Sequence, residues 1–556
     1  MAKVAALGLD AAEWAYVEQL LDAGEMPNLA ALRERSLTCR LAGSQAYRAE
    51  IPWPRFATGR AGSGMDYWGT IVFDPATYRA VGRGAYLGRP FWAQPGVRSL
   101  VFDVPEVGMC ADVLGTQITA WGAHSPEYPR ASRPVGLLTE LDRRFGPHPA
   151  FANDCDPGWH SPEYLDNLTT ALRVGAHRRM DALEWLLSRD EYDFVLVAMS
   201  ESHSGGHHLW HGVDREHPLA ALPVAETARR HVATLFRTLD ECVGRFVDAV
   251  GPDTTTIVFA LHGLRGDGND LPSAVLLPEL LHRHHFGRGL LKSPDGAAWR
   301  DAGMPPVVPA SDEQWIAYMA ARFSDGWRDT ARNLVKRSVP RRLLEPMRRA
   351  FGRAPGTLGP FTTPIPPEDR RAVDELRSEA RDPDYQIGWR YHRHWPDMRA
   401  FALPTVSDGH IRVNVRGREA HGVVHPDDFA AACEEIVRLA SECTDPRTGQ
   451  SVVADAIRTR EHPAQSGPPA DVVILWSGAP DAFEHPALGT IGPFPYCRTG
   501  EHTPNGFAFV AGPGIAPADV GTRDVLDLTP TIASLLGCLP ADAGYEGVPL
   551  PVGAPA

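Results

Sequence analysis

The chain has 556 residues, 43% of them hydrophobic and 22% charged, with 69 Asp and Glu against 55 Lys and Arg. This apolar fraction excludes disorder and collagen-like repeats, and the length allows two to four domains with a sizeable core. A net charge of −14 without a long basic run argues against a nucleic-acid-coating surface, whose affinity rests on phosphate neutralisation. The expected partner is a small molecule, and the uneven spread of the 22 histidines is the feature to explain.

The opening MAKVAALGLDAAEW reads as a β-strand, because Asp10 interrupts the apolar run before it reaches signal-peptide length. No apolar run approaches the roughly 18 residues of a bilayer span, so the expectation is a cytoplasmic protein with no membrane partner. The eight cysteines form no CxxC pair and suit reduced core thiols. Abundant Ala, Gly, Pro and Arg point to a bacterial genome of high GC content.

Short apolar runs at 4–9, 97–102, 194–199 and 255–260 alternate with helical patterns at 13–35, 163–188 and 223–250. Such alternation predicts an α/β fold with a mainly parallel sheet covered by helices. In these sheets ligands gather at the carboxyl ends of strands. Three of the predicted strands end in Asp10, in Glu201 to His211, and in His262. From about 300 to 380 the sequence turns to Arg-rich helical pieces and a Pro-rich linker or cap entry at 353–370. Residues 399–440 read as two strands and a helix, a small α/β insertion, while DVVILW at 471–476 and the tail at 501–515 return to the first pattern. The expected organisation is a core in two parts, 1–290 and 466–556, interrupted by an insertion or cap region at 291–465.

The densest chemical signal is SESHSGGHHLWHGVD, 200–214. On a helix His203 and His207 share one face, a spacing suited to two ligands of one zinc ion; the alternative is a His-rich helix end facing solvent. Asp10 is a candidate carboxylate ligand or, alternatively, a helix N-cap. His262 and His502 are individually weak, and each has a structural alternative.

In chain order, GLDAAEW with MPNLAALRERS, IPWPRFATGR, SESHSGGHHLWHGVD, LHGL, GEHTPNGFAFVAGPGI and VLDLTPTIASLLG resemble the alkaline phosphatase superfamily, in its type I phosphodiesterase/nucleotide pyrophosphatase branch. VNVRGREAHGVVHPDDF with TDPRTG looks like the insertion carried by some members. The resemblance implies a three-layer α/β sandwich with an inserted α/β cap region. It also implies metal ligands at Asp10, His203, His207, His262 and His502. The family's nucleophilic Ser or Thr falls on Ala49, its Asp-x-x-x-His becomes His203-x-x-x-His207, and its Asp-His pair becomes Leu261-His262. His203, His207 and His502 would form a three-histidine zinc site. Asp10 and His262, with Glu50 as a possible third ligand, would form a second site short of anionic ligands, so one ion is favoured over two.

A zinc-bound water needs no protein nucleophile. Glu50 and Glu201 are therefore candidate bases; for Glu50 the alternative is a salt bridge to Arg48, and for Glu201 a role orienting a histidine. Arg48, Trp53, Trp210 and His211 are candidate substrate-binding residues, beside Tyr47, with core packing the alternative for both tryptophans. The expectation is a zinc-dependent hydrolase or group-transfer enzyme acting on a small phosphate, sulfate or related ester in specialised metabolism. Alternatives are a non-catalytic binding protein that keeps the fold, and a biosynthetic transferase using the metal as Lewis acid.

Overall fold

The computed structural model describes residues 3–69, 71–82, 84–122, 130–150, 158–309, 315–323, 387–405, 407–538 and 544–553. The Pro-rich segment 353–370, expected to be a linker or cap entry, lies outside the described residues.

A nine-stranded sheet forms the centre. Its middle strands, Val4–Leu9, Phe194–Met199 and Thr255–Ala260, are buried along their whole length, as parallel strands covered on both faces must be. Val4–Leu9 pairs in parallel with both of the others. Arg98–Phe102 and Leu114–Thr119 extend the parallel set on one side, and Ala131–Arg133 closes that edge antiparallel. On the other side Asn505–Ala511 runs antiparallel between Thr255–Ala260 and Leu37–Ala42, and Ala518–Asp524 ends the sheet parallel to the latter.

The period-two alternation of strand side chains divides the core into two layers. Ala5, Leu7 and Leu9 pack with Val17, Leu20, Leu172 and Val232 of the helices Trp14–Asp22, Pro162–Arg189 and Val224–Val250. Val4 and Ala6 face the other way, onto Phe56 of Pro52–Thr58 and Leu528 and Ile532 of Leu528–Leu535. The three-layer α/β sandwich expected from the sequence is therefore present. Pro162–Arg189 starts where its sequence dictates, with the Ser161 side chain accepting from the Tyr164 amide and proline at the first helical position.

A separate apolar cluster joins Leu276, Leu277 and Leu280 to Trp395, Phe401, Ile411, Ile436 and Ile474. It surrounds a four-stranded sheet of Ala400–Ala402, Gly409–Val413, Val472–Trp476 and Val453–Arg458, with the helix Phe429–Ser441. Val472–Trp476, read from the sequence as part of the returning core, instead pairs with Gly409–Val413 and Val453–Arg458. Its run of buried apolar residues fits any covered sheet, so its pattern could not say which one it joins.

Cys39, Cys242, Cys433 and Cys443 are buried thiols. Among the described residues no helix is long and apolar enough to cross a membrane.

Candidate metal centre

Asp10 follows the first strand directly, its amide donating to Met199 O, while Ser202 Oγ donates to Asp10 O at 2.6 Å. These bonds lock the end of Val4–Leu9 to the start of the buried helix Glu201–Leu209. Asp10 does not cap the following helix; Glu13 does, accepting from the Ala15 amide. His262 follows Thr255–Ala260. His502 stands on Gly500–Thr503, which pairs with Gly263–Gly266 as a two-stranded ribbon.

His203, His207 and His502 converge. His203 Nε2 lies 3.1 Å from His502 Nε2 and 3.2 Å from His207 Nε2. Tetrahedral zinc with bonds of about 2.05 Å sets its ligand nitrogens about 3.3 Å apart, so this spacing fits one ion. The tautomer also fits: His207 Nδ1 donates to Gly500 O at 2.7 Å, which leaves Nε2 as a lone pair. Burial, with Arg498 and His203 nearby, pushes the pKa of His207 well down; burial, then His262 and His203, does the same to His502. Both rings are held neutral and able to ligate.

The ribbon reaches the helix because glycine stands at the contact. A Cβ on Gly206 would collide with Leu264 of the ribbon, and one on Gly500 with Gly206 O. The Thr499 amide donates to His207 O at 2.7 Å across the same gap. Gly500→Ala, whose Cβ would meet the Gly206 backbone oxygen, is therefore expected to force the ribbon outward, lowering stability by about 1–3 kcal/mol and weakening metal retention, as read by denaturant midpoint and metal analysis.

Asp10 and His262 lie beside this group. His262 Nε2 is 3.7 Å from Asp10 Oδ1, and the His262 and His502 ring centres are 4.7 Å apart. Trp53 Nε1 donates to Asp10 Oδ1 at 2.7 Å, so Trp53 orients this carboxylate while its ring packs on Phe56 and Phe259. Among the described residues the three histidines are the only set of three potential ligands that converges.

Glu50 is half-buried, and its Oε1 accepts from Thr405 Oγ1 at 3.1 Å and Ser407 Oγ at 2.8 Å, both preceding Gly409–Val413 of the inserted sheet. Burial raises its pKa against these two hydroxyl bonds. Arg48 does not pair with Glu50. It pairs with Asp408 at 3.0 Å, and burial pushes Asp408 up to about 8 although Arg48 opposes this. The inserted unit thus reaches the segment around Ala49 through three residues.

Glu201 is engaged elsewhere. Its Oε1 accepts from Arg179 Nη2 at 3.1 Å and lies 3.2 Å from His148 Nε2, and Arg179 also holds Asp103 at 2.6 Å. Burial raises the Glu201 pKa, but Arg179 and His148 outweigh it and hold it down at about 2. Trp210 packs edge-on against Tyr16 in the core. His211 packs against Trp159, and burial, then His217 and His208, lowers its pKa to about 3.

Two residues near the histidines had no motif to announce them. Arg498 donates from Nη1 to His207 Nε2 at 3.0 Å and from Nε to Asp270 Oδ2 at 2.5 Å.

No family model and no curated protein matches the chain. Among solved structures it is similar to murine ectonucleotide pyrophosphatase/phosphodiesterase 5, in an inactive form in complex with AMP, at 10% identity and TM-score 0.45 over 100% of this chain and 98% of that one. It is similar to a mutant of the alkaline phosphatase PafA at 11% identity and TM-score 0.37, over 98% of each chain. Phosphonoacetate hydrolase from Sinorhizobium meliloti, in complex with phosphonoformate, aligns at 16% identity and TM-score 0.31 over 52% of this chain and 62% of that one. The chain therefore spans under two thirds of that hydrolase's length.

Proposed function

We propose that the chain is a metal-dependent hydrolase of small phosphate, sulfate or related esters, with a single zinc ion held by His203, His207 and His502. The observation that carries this reading is the convergence of three buried imidazoles, with His203 Nε2 at a zinc-like separation from both of the others and His207 fixed in the ligating tautomer by Gly500 O. Zinc bound there supplies Lewis-acid charge to an ester oxygen and acidifies water. Asp10, oriented by Trp53, and His262 line the neighbouring side as polar partners.

Ala49 offers no nucleophile, so the attacking water needs a base, and Glu50 is the residue we assign to hold its proton. Its buried carboxyl has a raised pKa, and its Oε2 carries no hydrogen bond to a described residue. Arg48 is assigned to the anionic part of the substrate; its Nε finds no acceptor among the described residues. Glu201, with its Oε1 tied to Arg179 and His148, anchors the helix that bears the histidines rather than serving as a base.

The test is metal analysis of protein purified without added ions, followed by a panel of phosphate monoesters, diesters and sulfate esters. Near-stoichiometric zinc and turnover of one ester class are expected; metal-free protein of unchanged fold overturns the reading. Glu50→Gln is expected to lower kcat by about 10²–10⁴-fold with zinc content unchanged. Because the raised pKa moves the acid limb of kcat/KM above the usual 4.5, that limb should vanish in the variant. The second reading, a non-catalytic binding protein, is favoured by Ala49; zinc without turnover across the panel would support it.

A further inference from the structure

Arg498 sits where a guanidinium is costly. It is buried, and its Nη1 donates to the same His207 nitrogen that the metal reading requires as a ligand. A cation held by the three histidines repels this side chain, and the lone pair of His207 Nε2 cannot serve both. Asp270 compensates the charge from the other side, accepting from Arg498 Nε. The ribbon itself is held by other bonds: the Thr499 amide to His207 O, and His207 Nδ1 to Gly500 O. Arg498 thus carries a positive charge against a cation site without being needed to seat the ribbon.

We propose that Arg498 is an anion-binding residue of the site, and that its Nη1–H passes from His207 to a tetrahedral oxyanion, the phosphate or sulfate group of the substrate, when the metal takes the His207 lone pair. No bond is made or broken in this exchange. One N–H donor changes acceptor from an imidazole nitrogen to a substrate oxygen, where a charge-assisted bond is stronger. Asp270 holds the guanidinium in register through both states. This inference rests on the reading of the histidines as a metal site.

The proposal predicts effects of opposite sign, which a purely structural arginine would not give. Zinc affinity is measured by chelator competition on the full chain, and inorganic phosphate affinity by calorimetry on zinc-loaded protein, with sulfate as a second probe. Arg498→Met should tighten zinc by about 3–10-fold and weaken phosphate by about 10–100-fold. Arg498→Lys, which keeps the charge and loses the fork, should leave zinc near wild type and give intermediate phosphate binding. Asp270→Asn, which strips the compensating charge, should reverse both signs and keeps the test open if Arg498→Met does not fold. Unchanged phosphate binding in Arg498→Met, or loss of zinc and phosphate together with a lowered melting temperature, overturns the proposal while leaving the metal reading intact. Wild-type protein that binds no zinc overturns both.

Discussion

His207→Ala is expected to purify with essentially no zinc and to bind added zinc at least about 100-fold more weakly than wild type, beyond what loss of an outer partner of a ligand costs. His207 has both nitrogens committed, Nδ1 to Gly500 O and Nε2 into the histidine group. Its loss removes a ligand and also unpins the ribbon that carries His502. His211→Ala is the control. That residue lies just beyond the same helix but packs against Trp159, so its zinc content should match wild type. Equal metal loss in both variants would mean that zinc retention depends on the segment as a whole and not on the three converging nitrogens.

Arg179→Met is expected to destabilise the protein by about 3–5 kcal/mol at neutral pH, because it leaves buried Asp103 and Glu201 without their cation. The pH dependence distinguishes this from a packing defect. In wild type Glu201 is held at about 2 against an ordinary 4.5, so its contribution is present above the ordinary value and is lost as pH falls through about 2. Without Arg179, burial dominates and raises the carboxyl instead. The variant then gains stability relative to wild type as pH falls from 8 towards 4. Urea midpoints at the two pH values measure this, and an equal deficit at both would point to lost packing alone.

The sheet was legible because its middle strands are uninterrupted apolar runs between amphipathic helices, and His203 with His207 because they share a helix face. Of the two readings open for Glu201, a base or a partner orienting a histidine, its contacts with Arg179 and His148 favour the second. It stands two residues from His203, about 200° around a helix, and so faces away from the histidines. The spacing that pairs His203 with His207 already sets Glu201 apart. A salt bridge to Arg48 was the alternative reading for Glu50, yet each takes partners from the inserted unit, 355 residues on for Thr405 and Glu50. No spacing rule spans such a separation. Arg498 and Asp270 carry no motif at all; only the fold of the ribbon and the turn before Pro272 brings them to His207.

The strand Asn505–Ala511 lies between Leu37–Ala42 and Thr255–Ala260, and this has a bearing on how the chain is made. During synthesis from the N-terminus, the central sheet lacks the strand between these two until residue 511 has emerged. His203 and His207 must wait equally long for His502. The exposed strand edges of Leu37–Ala42 and Thr255–Ala260 are in the meantime open to wrong pairing.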